Sequence, residues 1–340
     1  MTVWEIAKRA NVSIATVSRV INGVGNVDPS LARRVRRVVA EVGYYPNTHA
    51  RALVSGRSRT LGLVLDIINP FFSEILQTFT ELGFDHDYRI LLSPLTRDSR
   101  SLMAAVRQMS ERRVDGLAVM SSANEDFFIE AFTGRNIPCV AVDIDHSGEL
   151  LKTIRIDYEH GIRQAVQHLA ALGHARIAFI GGSANLKGAA SQKIAFQKCM
   201  MEIGLGISPQ LLMAGDHSIK SGRAGMTAMA ALPERPSAVV CSHDETAIGV
   251  IRRGSELGIQ IPGKLSVVGF HDIRMGQYLV PPLTTVQIPQ IEIAKAAFGA
   301  LLDFVSAQRR ESSSSSSTIK TNLVLRCSTA LGPDRTTNNP

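Results

Sequence analysis

From Leu61 onward, strand-sized apolar runs alternate with longer amphipathic stretches. The runs LGLVLD, RILLS, GLAVM and PCVAV are separated by helical patterns over 70–83, 98–112 and 124–134. After Asp157 a second series begins, with helical patterns over 158–172, 188–204, 219–231 and 243–257 around the runs RIAFIGG, SAVVCS and LSVVGF. Short apolar runs bounded by turns read as buried strands, and helix-period repeats of apolar positions read as helices. Two βαβ series predict an α/β region made of two parallel-sheet, Rossmann-like lobes. Ligands in such sheets settle beyond the carboxyl ends of the strands, so two facing lobes predict a cleft there. The side chains at those ends are Asp66 with Phe71 and Phe72, Asp143, Asp216-His217, His243-Asp244 and His271-Asp272. Asp66, Phe71, Phe72, Asp143, His217, His243 and His271 are therefore the ligand-binding candidates.

The first 60 residues are patterned differently. Val3–Ala10 offers Ile6 and Ala7 to a core and is followed by a turn at Asn11-Val12. A second helix opens at Ser13, whose hydroxyl can cap it, and runs to about Asn22. Its Ile14, Val17 and Ile21 fall on one face, while Ala15, Ser18, Arg19 and Asn22 project from the other. A third pattern over 29–42 places Leu31, Val35, Val38 and Val39 on one face and Arg33, Arg36 and Arg37 on others, and Gly43 ends it.

Charge decides what this small helical segment is for. The chain carries a net charge of +7, and residues 1–60 hold ten Lys/Arg against only Glu5, Asp28 and Glu41. The remainder balances, so the whole excess belongs to the head, which should bind a polyanion. Two helices joined by a tight turn with a third behind them form a helix-turn-helix DNA-binding module. A helix entering the major groove needs small side chains for close approach, hydroxyls for phosphates and a few longer groups for base edges. Thr16 and Ser18 are assigned to phosphates, and Ile14, Ala15 and Arg19 to bases, Arg19 through a guanine edge. Ser13 and Asn22 complete the DNA-facing set. The stretch NTHARALVS over 47–55 is a fourth, short helical pattern, marginal alone. Leu53 is its prominent large apolar residue and suits a wedge between base pairs of a minor groove, beside Asn47, His49 and Ala50. A plain tether ending in SGRSRT is the alternative.

Cys139, Cys199, Cys241 and Cys327 lack CxxC spacing, and two of them sit in apolar runs, which reads as reduced, buried thiols. No apolar stretch reaches the length of a membrane span, and the N-terminal MTVWEIAKRANVS has no apolar signal core, so a cytoplasmic location is expected. Gly181-Gly182 is not a dinucleotide or phosphate loop, and neither GxSxG nor HExxH occurs. A binding cleft without catalytic residues, cofactor or metal is the reading. The histidines at its edge could donate to a polar or carboxylate ligand with pH sensitivity near neutrality, or hold zinc. Rival readings are a solute-binding protein of the periplasmic kind and an enzyme using His243 and Asp272.

The residues also resemble a known family. EIAKRANVSIATVSRVIN, GYYPN and ARAL, followed by LGLVLDIINPFF, ERRVDGLAV, HLAALGHARIAFIGG, SHDETAIGVIRR, LSVVGFHD and PPLTTV, are similar to the LacI/GalR bacterial transcription regulators in the expected order up to LRCSTA. The resemblance implies a helix-turn-helix head over 1–46, a hinge helix and linker over 47–60, and an effector-binding and dimerisation domain over 61–330. Its first lobe would comprise 61–157 and 289–311 and its second 158–288 and 318–330, with a tail over 331–340. The serine run before residue 318 would be a surface loop, and the absence of a heptad-rich tail after Ala330 favours a dimer over a tetramer. The implied function is a repressor, with double-stranded operator DNA and a small-molecule effector, a sugar or sugar-derived metabolite, as partners. The pattern departs from the family at four places. His217 stands where an aromatic residue usually follows the aspartate, His243 where asparagine is common, and His271 where an aspartate is. Ala190 stands where an arginine often binds the effector.

Overall fold

The computed structural model describes residues 2–22, 25–44, 57–96, 99–120, 136–144, 148–183, 186–306 and 317–333. The chain divides into two compact units, Met1–Arg59 and Thr60–Pro340.

The first unit holds α1 (Val3–Ala10), α2 (Ile14–Asn22) and α3 (Pro29–Glu41). Each start has a local cause. Thr2 and Glu5 form a reciprocal capping box on α1, with the Glu5 carboxylate accepting from the Thr2 N–H at 2.7 Å. The Ser13 hydroxyl accepts from the Thr16 N–H at 3.1 Å at the head of α2. Asp28 caps α3, with Pro29 in its first turn. Asn11 ends α1 in the left-handed region at φ 49°, which asparagine tolerates. Ile6, Ala7, Ala10, Val17, Val35 and Val38 form the core of this unit. Two sequence expectations shift here. Ile14 lies half-exposed, 51% accessible, because Val20 joins Val17 and Ile21 against the core. On α3, Ala32 rather than Leu31 is buried. Arg34 turns inward along its own stem to donate to the Ala10 and Asn11 carbonyls, so it serves the turn between α1 and α2.

The second unit contains two six-stranded sheets. Its elements in chain order are β1 (Thr60–Leu65), α4 (Phe72–Asp85), β2 (Arg89–Pro94), α5 (Ser99–Glu111), β3 (Gly116–Met120), β4 (Cys139–Val142) and β5 (Leu151–Asp157). Then come α6 (Tyr158–Ala171), β6 (Ile177–Ile180), α7 (Lys187–Glu202), β7 (Leu212–Met213), α8 (Ile219–Ala230), β8 (Ala238–Cys241), α9 (Asp244–Glu256) and β9 (Ser266–His271). Last are β10 (Thr284–Gln287), α10 (Gln290–Ser306), β11 (Ser317–Lys320) and β12 (Asn322–Val324). The first sheet runs β11-β5-β4-β3-β1-β2 and the second β12-β10-β9-β8-β6-β7. Among the described residues all strand pairs are parallel except β10 with β12, which is why the central strands β1, β3, β6, β8 and β9 read as continuous apolar runs rather than alternating ones.

The chain passes between the sheets after β5, after β10 and between β11 and β12. The last passage corrects one expectation. Residues 318–320, expected in the second lobe with the rest of 318–330, pair in parallel with 155–157 and extend the first sheet. Only 322–324 join the second, antiparallel to 285–287. The helical pattern over 124–134 and the hinge stretch over 47–56 lie outside the described residues. The passages converge on Gly161 in α6, where an added Cβ would stand 2.3 Å from Val286 and 2.4 Å from Thr321. Thr321 is fully buried there and donates its hydroxyl to the Asp157 carbonyl at 2.7 Å. One continuous apolar core runs through both lobes at this junction, from Leu63 and Phe298 to Phe179, Val240 and Phe270.

Candidate functional site

In the head, the face of α2 opposite its core side is exposed among the described residues. Ser13, Ile14, Ala15, Ser18 and Arg19 are exposed and Thr16 is half-buried. The Ser13 and Thr16 hydroxyls lie 2.9 Å apart, so the pair that starts the helix also places two hydroxyls at its amino end. There the helix dipole and the unpaired N–H groups favour an anion. On α1, Trp4 is 59% exposed with the Lys8 ammonium 5.4 Å from its ring centre. Asn22 belongs to α2, and Asn47, His49, Ala50 and Leu53 lie outside the described residues.

In the second unit, three histidines from different segments meet at the carboxyl ends of the second sheet. Ring centres are 4.2 Å apart for His243 and His271, 5.4 Å for His217 and His243, and 6.5 Å for His217 and His271. His243 follows β8 and caps α9, accepting the Glu245 N–H on Nδ1 at 3.2 Å. His271 ends β9 and donates from Nδ1 to the Phe270 carbonyl at 2.8 Å. His217 packs against Gly182, where a Cβ would strike its Nε2 at 1.7 Å. His217, His271 and Asp143 all hold left-handed backbone, φ 65°, 105° and 57°. Such conformations cost energy in non-glycine residues and concentrate at ligand sites. Phe71, before α4 in the first lobe, meets His271 edge-on at 4.9 Å and Phe72 at 5.0 Å. The first-lobe aromatics and the second-lobe histidines therefore share one site.

The aspartates divide by role. Asp143 accepts the Tyr158 hydroxyl at 2.5 Å and the Ile156 N–H at 2.9 Å, binding β4 to the start of α6. Asp66 accepts the Ile68 N–H at 3.0 Å and Asp216 the Ser218 N–H at 3.1 Å, both local turn bonds. Asp272 forms an ion pair with Arg326 at 2.7 Å and accepts from Gln287 at 3.1 Å, which ties β9 to the C-terminal segment. Asp244 is fully buried behind the histidines and accepts from the Ile273 N–H at 2.7 Å and the Thr285 hydroxyl at 2.5 Å. Burial pushes its carboxyl up to about 7.

Burial also sets the charge of the rings. It drives His243 well below the usual imidazole range, reinforced by His271 and His217, and lowers His271 to about 3. Both rings are therefore neutral at neutral pH, and a titration near neutrality would need an added countercharge beside them. Among the described residues, no three His, Cys, Asp or Glu side chains are arranged to hold a metal ion. Sequence reasoning passed over Tyr158, Phe270 and Gln192. The last is buried and donates to the Ser242 carbonyl at 3.2 Å. An amide inside an otherwise helical pattern gave no signal of that role.

Residues 2–47 match the model of the bacterial regulatory proteins, lacI family, and residues 166–329 the periplasmic binding protein-like domain. The transcriptional repressor PurR of Erwinia tasmaniensis is 33% identical over 337 residues, covering 98% of each chain. The catabolite control protein A of Priestia megaterium is 30% identical over 315 residues, 92% of this chain and 95% of that one. A structure of the Lac repressor dimer bound to operator and the anti-inducer ONPF superposes with a TM-score of 0.87 at 25% identity, covering 97% and 99% of the two chains. A CelR–cellobiose complex superposes with a TM-score of 0.72 at 25% identity, covering 96% and 99%. With a basic helix-turn-helix head, two crossover-linked parallel sheets and relatives along nearly its whole length, the chain belongs to the LacI family of bacterial regulatory proteins.

Proposed function

We propose that the protein is a two-fold dimeric repressor that reads a near-palindromic operator and is controlled by a small molecule bound between its lobes. That the chain is a DNA-binding transcriptional regulator and not an enzyme follows from its family. The observation carrying the finer reading is the site where Phe71 of one lobe meets His271 of the other. A ligand seated there touches both lobes and favours one closure of the cleft over another. That difference in affinity for two states is what couples it to DNA.

In this reading, α2 presents Ile14, Ala15 and Arg19 to base edges and Ser13, Thr16, Ser18 and Asn22 to the backbone. The 47–60 segment acts as the hinge, folding on DNA with Asn47, His49 and Ala50 against it and Leu53 wedged in the minor groove. The effector, a sugar or sugar-derived metabolite, contacts Phe71, Phe72, His217, His243 and His271, with Asp66 and Asp143 at its margin. The cellobiose complex of CelR supports the carbohydrate class. A dimer is supported by the operator-bound Lac repressor dimer and by large apolar side chains left in water here. Ile68 and Phe84 of the first lobe are 85% and 84% exposed, and Val280 of the second is 91% exposed. Among the described residues no helix is long and apolar enough to cross a membrane. We place the protein in the bacterial cytoplasm, on the nucleoid when operator-bound.

The test is a thermal-shift panel of sugars, sugar acids, nucleobases and zinc on the full chain, with a chelator control. A ligand exclusive to the folded state adds about 2.7 kcal/mol at a hundredfold excess over Kd. A carbohydrate that shifts the melt and changes operator affinity supports the reading. A shift by zinc alone, reversed by chelator, replaces it with a metal-responsive regulator.

A further inference from the structure

We infer that His243 and His271 form a tautomer-locked pair that presents one hydrogen-bond donor and one acceptor to the ligand. The pair thereby selects an uncharged group carrying both functions, a hydroxyl or an adjacent N–H and carbonyl, over a carboxylate. The inference rests on the reading of this cleft as the effector site.

The lock comes from the backbone. The Glu245 N–H can only donate, and it lies 3.2 Å from His243 Nδ1, so that nitrogen is bare and the proton of the neutral ring sits on Nε2. The His243 Nε2 is buried with no hydrogen-bond partner, a donor held ready. The Phe270 carbonyl can only accept, and it lies 2.8 Å from His271 Nδ1, so the proton of this second ring sits on Nδ1 and its Nε2 is an acceptor. The ring centres are 4.2 Å apart, close enough for one ligand group to meet both rings. A hydroxyl accepts from His243 and donates to His271, leaving neither unsatisfied. A carboxylate accepts from His243 but faces a lone pair on His271, and it fits only if that ring takes up a proton.

The surroundings do not supply that proton or stabilise it. His217 adds a third imidazole to the group and penalises positive charge on either neighbour. The Phe71 ring packs against His271 from the first lobe. The Asp272 carboxylate is neutralised by Arg326, and Asp143 is engaged by Tyr158 and Ile156. Asp244 directs its oxygens to Thr285 and Ile273 rather than to the rings. Burial lowers both imidazoles in the same sense.

The experiment is a long-range proton–nitrogen correlation spectrum of the full chain with ring-labelled histidine, from about pH 6 to pH 8. Signals are assigned with His243→Asn and His271→Asn, and with the glutamine variants should either fail to fold. Expected is a neutral His243 protonated on Nε2 and a neutral His271 protonated on Nδ1 across the range, unchanged by excess acetate as carboxylate probe. A cationic ring at neutral pH, the opposite tautomer in either ring, or protonation of His271 by acetate overturns the inference. Failure of the regulator reading registers separately, as loss of sequence-specific DNA binding, which the ring spectra do not measure.

Discussion

Replacing Asp244 with asparagine isolates a single buried carboxyl whose titration the structure places in an accessible range. Asp244 is fully buried and pushed up to about 7, whereas an aspartate in the unfolded chain titrates near 3.9. Between those values the folded protein holds a proton that the unfolded chain has lost. The stabilising contribution is therefore complete below about pH 4 and disappears as pH rises through about 7. A separation of about three pH units corresponds to about 4 kcal/mol. Asparagine keeps a carbonyl for the Ile273 N–H and an amide for Thr285, but it does not titrate. His243 and His271 work in the opposite sense. Their lowered values give stability that is present above the unfolded imidazole range and is lost as pH falls. The wild-type curve mixes these effects, and the difference between wild type and Asp244→Asn removes the histidine part. Urea unfolding of both proteins at a series of pH values should show wild type losing about 4 kcal/mol relative to the variant between about pH 4 and pH 8. A difference that stays level across that range would refute the buried-acid account.

Three further outcomes follow from other parts of the molecule. Arg19→Ala should cost about 1–3 kcal/mol at the preferred operator and relax specificity at one base pair, read by competition binding against single-site operator variants. An equal loss on every sequence would reassign Arg19 to phosphate. Leu53→Ala should weaken operator binding far more than binding to unrelated duplex DNA, measured by anisotropy at fixed salt, and equal losses on the two DNAs would remove the wedge. Gly161→Ala forces a Cβ against Val286 and Thr321 at the lobe junction and should destabilise the effector-binding unit by about 1–3 kcal/mol in calorimetry. An unchanged melting temperature would mean the junction is looser than its packing indicates.

The βαβ rhythm was legible because buried parallel strands must be apolar on both faces, and IAFI and AVVC could hardly be anything else. Helix starts were legible where a side chain fixes them, as at Ser13. The short edge strands were not. Leu212–Met213 and Ser317–Lys320 carry too few residues for any period, and the sheet that 318–320 joins is decided by their parallel partner, β5. In the site, the three histidines stood out because each ends or follows a strand of the second sheet, at the carboxyl edge where ligands of parallel sheets settle. Their tautomers were hidden, since those depend on the Glu245 N–H and the Phe270 carbonyl, and backbone geometry is not written in side-chain type. Asp244 and Asp272 read like the other strand-end carboxylates. Only the structure separates them, by showing that Thr285, Ile273 and Arg326 occupy their oxygens.

The most direct test of the central claim is selection of random-sequence duplex DNA with the purified full chain, followed by sequencing of the bound pool. A two-fold dimer of helix-turn-helix heads predicts enrichment of one inverted repeat whose half-sites each satisfy one α2 helix. A bound pool with no enriched motif, retained by charge alone and lost uniformly as salt rises, would contradict sequence-specific regulation by this chain.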